Sequence, residues 1–418
     1  MSPPIEATLG EIVASTGGVL QTGPFGSQLH ATDYVAWGVP VIMPVNIGDN
    51  TIVENGIARV GFADARRLRR HALREGDIVF GRRGEVGRRS IVRSGQENWL
   101  CGTGCLAARL GPKRTNVAPA YVAHYVGSPQ AQTWLVDHAV GATMPNLNTS
   151  ILAALPVWWP PIREQEAIAE ALDDATALVT TLERLITKKE AMKQGMMQEL
   201  LTGRTRLPGF AGDWVSLHVA AASHLKARIG WQGLTTDEYR WSGEHRVVGG
   251  TDFVDGAIDW AHVAFVDKWR FDQDLNIQLS PGDVLLSKDG TIGKVAYVAE
   301  LPGPATLNSG VFVIRPKPAA YVARFLFYVL RSRIFDQFVA GLSAGSTINH
   351  LYQRDLVTLS VPAPVELGEQ HAIATVLGDA DAELDALRAR LDKARAVKQG
   401  MMQELLTGRT RLPVKEES

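Results

Sequence analysis

The sequence predicts an α+β protein built as an internal repeat, in which two α/β segments are each followed by a long helix. Three observations carry this. The string KQGMMQELLTGRTRLP occurs at residues 193–208 and again at 398–413, an offset of 205, and self-similarity at a fixed offset marks a duplicated unit. Apolar residues upstream of each copy fall at helical spacing. Further upstream, β-branched runs punctuated by glycine recur in both halves.

The helices follow from the repeat. At the same offset Glu164 and Gln165 match Glu369 and Gln370, Ala167, Ile168 and Ala169 match Ala372, Ile373 and Ala374, and Asp174 and Ala175 match Asp379 and Ala380. The repeat is therefore about fifty residues long. Its apolar positions are Ile168, Leu172, Ala175, Val179, Leu182 and Ile186 in one copy and Ile373, Leu377, Ala380, Leu384, Leu387 and Leu391 in the other, spaced 4, 3, 4, 3, 4 in both. A period of 3.5 keeps one narrow stripe facing a partner helix, as in a coiled coil, and the natural partner is the other copy. Ordinary core-packing helices are the competing reading, disfavoured because the same motif ends both halves. Lys189 interrupts the seam where Ala394 keeps it, which predicts that the pair loosens or ends near there. Prolines 160, 161 and 364 precede the helices, and Gly203 and Gly408 stand where a C-terminal cap requires positive φ. Roughly forty residues at ~1.5 Å each give a rod of about 60 Å. Leu172, Leu182, Met196 and Leu200, with Leu377, Leu387, Met401 and Leu405, are the candidates for helix packing or subunit docking. Gly195 and Gly400 cost about 1 kcal/mol each inside a helix, so they are expected to permit close helix approach or protein docking.

Four segments result: residues 1–160 and 208–365 as mixed α/β domains, 161–207 as a central helix and 366–413 as a C-terminal helix. Residues 38–47 and 76–92 read as short strands in the first domain, and 120–139 as helical. Residues 282–298 repeat the second of these, with Gly76, Asp77, Gly84, Gly87 and Arg88 facing Gly282, Asp283, Gly290, Gly293 and Lys294. Outside such anchors the halves differ almost everywhere. One scaffold with divergent surfaces suits an object that reads two different things with one geometry. An enzyme duplicated for catalysis would instead repeat its reactive residues.

Composition narrows the class. The 418 residues are 45% hydrophobic and 21% charged, ordinary for globular protein. No stretch has the length and apolarity of a membrane span or a signal-peptide core, so a cytoplasmic protein is expected. The two cysteines, Cys101 and Cys105, are too few for a disulfide framework and read as buried thiols. Net charge is −1, yet residues 59–93 hold eleven arginines against four acids, a local footprint for phosphates or a solvated basic face. Catalytic signatures are missing. The spacing of Gly81, Gly84 and Gly87 is not a dinucleotide fingerprint, and Val295 follows Gly293-Lys294 where a P-loop needs Ser or Thr. Asp283, Lys288 and Asp289 suggest a nuclease, but the first half offers Asp77, Arg82 and Arg83 instead.

The doubled string, REQEAIAEAL at 163–172 and GEQHAIATVL at 368–377, GPFGSQL at 23–29, RIGWQGLTTDEY at 228–239 and the paired GD(I/V) loops together resemble the specificity subunit of type I restriction-modification systems, over nearly the whole chain. The resemblance implies two target-recognition domains separated by two antiparallel conserved helices in a pseudo-two-fold arrangement, each domain reading one half of a bipartite, asymmetric site in double-stranded DNA. It implies no catalysis and no cofactor in this chain. Two methyltransferase subunits would carry S-adenosylmethionine, and two restriction-translocation subunits ATP and Mg. Arginine and lysine suit guanine, and asparagine or glutamine adenine. The candidate DNA-binding residues are therefore Arg82, Arg83, Arg88, Asn146 and Asn148 in the first half and Trp231, Gln232, Lys288, Lys294, Asn349 and His350 in the second. A coiled-coil scaffold without DNA binding and a duplicated enzyme are the alternatives.

Overall fold

The computed structural model describes residues 5–83, 87–140, 146–229, 232–342 and 350–413. The chain divides into two compact units, Met1–Glu183 with Ala389–Ser418, and Arg184–Arg388. In the first, one sheet runs in the order Val19–Thr22, Cys105–Arg109, Ile78–Gly81, Arg89–Ile91, Asp49–Asn50, and a second in the order Ala58–Val60, Tyr34–Ile42, Leu100–Cys101. Ile78–Gly81 is buried along its whole length, the mark of a strand covered on both faces. Helices Pro119–Val126, Pro129–His138 and Thr149–Ala154 lie on this framework, and Tyr121, Val122 and Leu152 share a core with Phe80 and Leu106.

The second unit repeats the plan. Its sheets run Ser223–Ala227, Val311–Pro316, Val284–Ser287, Val295–Tyr297 and Ala264–Val266, His245–Val248, Ala305–Leu307, followed by helices Ala323–Leu330, Arg333–Leu342 and Gln353–Val357. Each domain also closes its N-terminal strand on the strand before a long helix, Ile5–Thr8 on Pro156–Trp159 and Trp214–His218 on Ser360–Pro364.

The long helices are Ile162–Leu200 and Leu367–Leu405, 39 residues each, and they run antiparallel. In the first unit Glu183 meets Arg395 at 2.7 Å and Glu164 meets Arg411 at 2.5 Å. In the second, Glu190 meets Arg388 at 2.8 Å and Arg206 meets Glu369 at 2.5 Å. Every predicted seam residue is buried or half-buried. The pair does not end at Lys189, contrary to the sequence expectation. Lys189 reaches Glu383 at 2.6 Å, Lys193 pairs with Asp381, and Leu200 and Leu201 then join the core around Ile373 and Leu377. Exposed pairs such as Lys189–Glu383 and Glu190–Arg388 add little to stability, so the apolar contacts beside them dominate.

The repeated string forms a clasp at the end of each helix. Leu200 and Leu201, or Leu405 and Leu406, plug the core, while the Thr202 and Thr407 hydroxyls donate back to the Gln198 and Gln403 carbonyls. Gly203 (φ +69°) and Gly408 (φ +71°) turn the chain, as predicted. Arg206 then grips the buried Glu369 with two hydrogen bonds of 2.5 and 2.6 Å, and Arg411 grips Glu164 in the same way. Both acids lie in the first turn of the opposite helix, where the backbone dipole also favours a carboxylate. The neighbouring Gln165 and Gln370 are buried. Each side-chain oxygen accepts from the backbone N–H of Ala118 or Val322, at 3.0 and 2.8 Å, anchoring helix to domain. Gly195 and Gly400 behave otherwise. A Cβ on either would meet nothing within 4 Å, so close helix approach does not explain them. No helix among the described residues is long and apolar enough to cross a membrane.

Candidate nucleic-acid interface

In each domain the sheet delivers three loops to one junction. After strand Ile78–Gly81 the Arg82 N–H donates to the Gly104 carbonyl at 2.9 Å, and the Arg82 carbonyl accepts from the Leu147 N–H at 2.9 Å. The Arg82 side chain donates to Asn146 Oδ1 at 3.1 Å, and exposed Arg83 forms a β-bridge with Asn146. A fourth segment joins when the Gly23 N–H donates to the Cys105 carbonyl at 2.9 Å. The second domain builds the same junction from other side chains. Lys288 donates to the Gly310 carbonyl and accepts from Leu351, both at 2.9 Å. Asp289 bridges His350 and also pairs with its imidazole. Lys288 Nζ lies 5.4 Å above the Phe312 ring. Arg228, at the position of Gly23, is buried and donates to the Leu307 carbonyl at 2.8 Å.

Arg82, Arg83 and Asn146 are thus brought together, as are Lys288 and His350. Other candidates fall elsewhere. Asn148 accepts from the Ile151 N–H at 2.8 Å as the N-cap of helix Thr149–Ala154, a structural duty that occupies its side-chain oxygen. Gln232 is buried, which removes it from any reading surface. Arg88 donates to the Ile47 carbonyl, and Lys294 is exposed beyond the turn at Gly293. Trp231 and Asn349 lie outside the described residues. The arginine-rich stretch is also less uniform than its sequence. Arg59 and Arg67 hold the carbonyls of Gly38 and Gln28, Arg70 holds the Gln28 side chain, and Arg93 holds Asp173, whereas Arg66, Arg69, Arg74 and Arg83 are exposed.

The acids suited to a nuclease do structural work. Buried Asp283 accepts two bonds from Arg315, at 2.6 and 2.8 Å, and one from the Ser280 N–H. Asp77 accepts from the Arg74 and Leu110 N–H groups, and its burial raises its pKa. Burial pushes the Cys101 thiol up to about 12. Among the described residues no His, Cys, Asp and Glu cluster could hold a metal.

Sequence reasoning missed the network tying the first domain to the helices. Arg89 donates to the Ala123 carbonyl at 2.8 Å and meets Asp49 at 2.7 Å, and Lys398 reaches the same carboxylate at 2.5 Å. Burial would raise Asp49, but Arg89 and Lys398 outweigh it and hold the carboxyl at about 2. Beside it the His124 imidazole lies 2.8 Å from Asp173. Burial keeps His124 below its usual pKa, while His124 and Arg93 overcome burial to hold Asp173 at about 2. Asp49 is 349 residues from Lys398, and no local pattern signals such a pair. The matching Lys193 turns instead to Asp381 on the other helix.

Two domains of one topology, with divergent loops and a helix pair holding each, define a duplicated recognition framework. The sequence profile described as the type I restriction modification DNA specificity domain matches residues 48–193 and 234–394. The chain belongs to that family and is a type I restriction-modification specificity subunit, the non-catalytic component of its system. It is 23% identical over 393 residues to the putative type I restriction enzyme MjaX specificity subunit of Methanocaldococcus jannaschii, covering 90% of this chain and 88% of that one. The MjaVIII specificity subunit of the same organism is 24% identical, covering 67% and 68%. The fold is similar to the crystal structure of the S subunit from M. genitalium, with a TM-score of 0.63, 14% identity and coverage of 97% and 96%. It is also similar to a chain solved in a study of complex assembly and conformational transition of the type I system, with a TM-score of 0.56, 17% identity and coverage of 97% and 98%.

Proposed function

We propose that each domain reads one half of a bipartite, asymmetric sequence in double-stranded DNA, and that the helices space the domains and dock the methyltransferase subunits. One observation carries the reading. The same loop junction is built twice from different side chains, Arg82, Arg83 and Asn146 in one domain and Lys288, Asp289 and His350 in the other. A common frame sets position, and the exchanged side chains set sequence preference.

The clasp accounts for the buried part of the repeated string, but not for Gln194, Gly195 and Gln198 or their copies Gln399, Gly400 and Gln403, which are exposed or half-exposed. Identical surface displayed twice suits one kind of partner bound twice. In this reading two methyltransferase subunits bring S-adenosylmethionine, two restriction-translocation subunits bring ATP and Mg, and the assembly works in the cytoplasm.

Replacing Arg82 and Arg83 together by alanine tests the junction. If they hold phosphates, duplex affinity of the assembled complex falls and the slope of log affinity against log salt flattens by about 0.9 per lost contact. If one reads a base, specificity relaxes at a single position. Unchanged affinity together with unchanged preference, in a variant whose thermal unfolding is normal, rejects the junction as a contact surface. A scaffold that binds no DNA would show no salt-dependent duplex binding even in the wild-type complex.

A further inference from the structure

The duplicated frame places the same segment before the central strand of both domains, but the two copies carry opposite charge. In the first, helix Phe62–Arg67 and the turn Arg69–His71 precede strand Ile78–Gly81; in the second, Lys268–Asp272 and Leu275–Ile277 precede Val284–Ser287, each element starting 206 residues later. The turns into the strands are also alike, since the Arg74 N–H donates to Asp77 and the Ser280 N–H to Asp283. Residues 23–74 hold six arginines against four acids, whereas residues 228–280 hold five cations against nine acids. With every group counted, paired or not, the first segment is net positive and the second net negative. The excess is concentrated. Residues 62–74 hold five arginines against Asp64 alone, where residues 268–280 balance Lys268 and Arg270 with Asp272 and Asp274. At the shared offset Asp272 stands for Arg66, and Leu275 for Arg69.

The cationic segment is tied to the chain on both sides of the first junction. Gly23, whose N–H donates to the Cys105 carbonyl at 2.9 Å, opens a loop. Five residues on, Gln28 is held twice, its carbonyl by Arg67 at 2.7 Å and its side-chain oxygen by Arg70 at 3.2 Å. A second tether lies before the loop, where the Gln21 side-chain nitrogen stands 3.3 Å from the His71 ring. Five residues span at most about 17 Å, the rise of about five base pairs along a duplex seated at the junction. Arg67 and Arg70 turn to the loop. Arg66 and Arg69, three apart and so neighbours on a helical surface, are exposed. Phosphates line a duplex whatever its sequence, so a cationic strip beside a base-reading junction suits the backbone. An acidic protein would satisfy the charge equally, but the two tethers make the strip continuous with the reading surface.

We propose that Arg66 and Arg69 hold the DNA backbone beside the first half-site, a sequence-independent grip that the acidic counterpart denies to the second domain. The inference rests on the reading that the junctions face duplex DNA, and it makes the two domains unequal in electrostatic affinity. The test measures the assembled complex on two duplexes, a target selected from a randomised library and a scrambled sequence, over a series of salt concentrations. The Arg66→Gln, Arg69→Gln double variant should lose about 1.8 from the slope of log affinity against log salt on both duplexes, about 0.9 for each lost contact. The ratio of the two affinities should not change. Lysine at both positions keeps the charge and should restore the slope. Arg240→Gln with Lys268→Gln, which removes exposed cations of the second segment, should leave the slope as it was.

An unaltered slope in the Arg66 and Arg69 glutamine variant, with normal thermal unfolding, overturns the proposal; if uptake of the methyltransferase subunit falls at the same time, the strip belongs to that protein. Relaxed preference at one base pair would make the arginines base readers, and equal flattening by the Arg240 and Lys268 variant would make the grip common to both domains. Either contradicts the proposal. If the wild-type complex shows no salt-dependent duplex binding, the reading of the junctions fails first. Binding altered by the Arg82 and Arg83 variant but not by that of Arg66 and Arg69 leaves that reading standing and removes this inference.

Discussion

Replacing Gly408 by valine should destabilise the first unit by about 2–4 kcal/mol, the combined cost of forcing a β-branched residue into left-handed backbone and of overpacking against its neighbour. Gly408 sits at φ +71°, and a Cβ there would stand 2.6 Å from the Trp158 ring. That ring also underlies the Arg411 guanidinium, 5.6 Å from its centroid, so displacing it disturbs the grip on Glu164. Gly203→Val should act in the same direction on the second unit, but less, because its Cβ would lie 3.0 Å from Trp214. The other pair of repeated glycines gives the opposite result. Gly195→Ala and Gly400→Ala meet no obstruction and should each stabilise the isolated chain by about 0.5–1 kcal/mol, while weakening uptake of the methyltransferase subunit. Denaturant unfolding followed by partner titration separates the two classes. A Gly408→Val chain that unfolds at the wild-type midpoint would remove the clasp from the account.

The second large effect is on sequence preference. Exchanging residues 1–160 for the matching segment of a related specificity subunit should replace one half-site completely and leave the other as it was. The reason is local. The first junction draws its side chains from Arg82, Arg83 and Asn146, and the elements joining them, Ile78–Gly81 and Thr149–Ala154, lie within the exchanged segment. Selection from a randomised duplex library would report both half-sites in one experiment. If both change together, the domains do not read independently.

Much of this architecture was legible because duplication writes long-range structure into a form that local inspection can find. The offset between the two copies of the string, the seam from Ile168 to Ile186 and the glycines at 203 and 408 each specify backbone geometry through nearby residues. What stayed hidden depends on partners distant in sequence. Lys189 reads as a break in the seam because its carboxylate, Glu383, belongs to the other helix. Asn148 reads as a base contact because asparagine serves equally as an adenine reader and as an N-cap, and only the start of Thr149–Ala154 decides between them. Gln232 has the polarity of a reader but is enclosed by the fold. Trp37 and Trp241 are ordinary letters in the sequence, yet both stand almost fully exposed because of strand register, which the sequence does not display.

Mapping the methylated bases in DNA exposed to this chain together with a methyltransferase subunit tests the central claim most directly. The expected result is a single asymmetric motif of two short specified parts, separated by a gap of fixed length whose bases are free to vary. Methylation confined to one contiguous motif, or two parts joined by gaps of variable length, would contradict the view that two domains on one helical frame read two halves of one site.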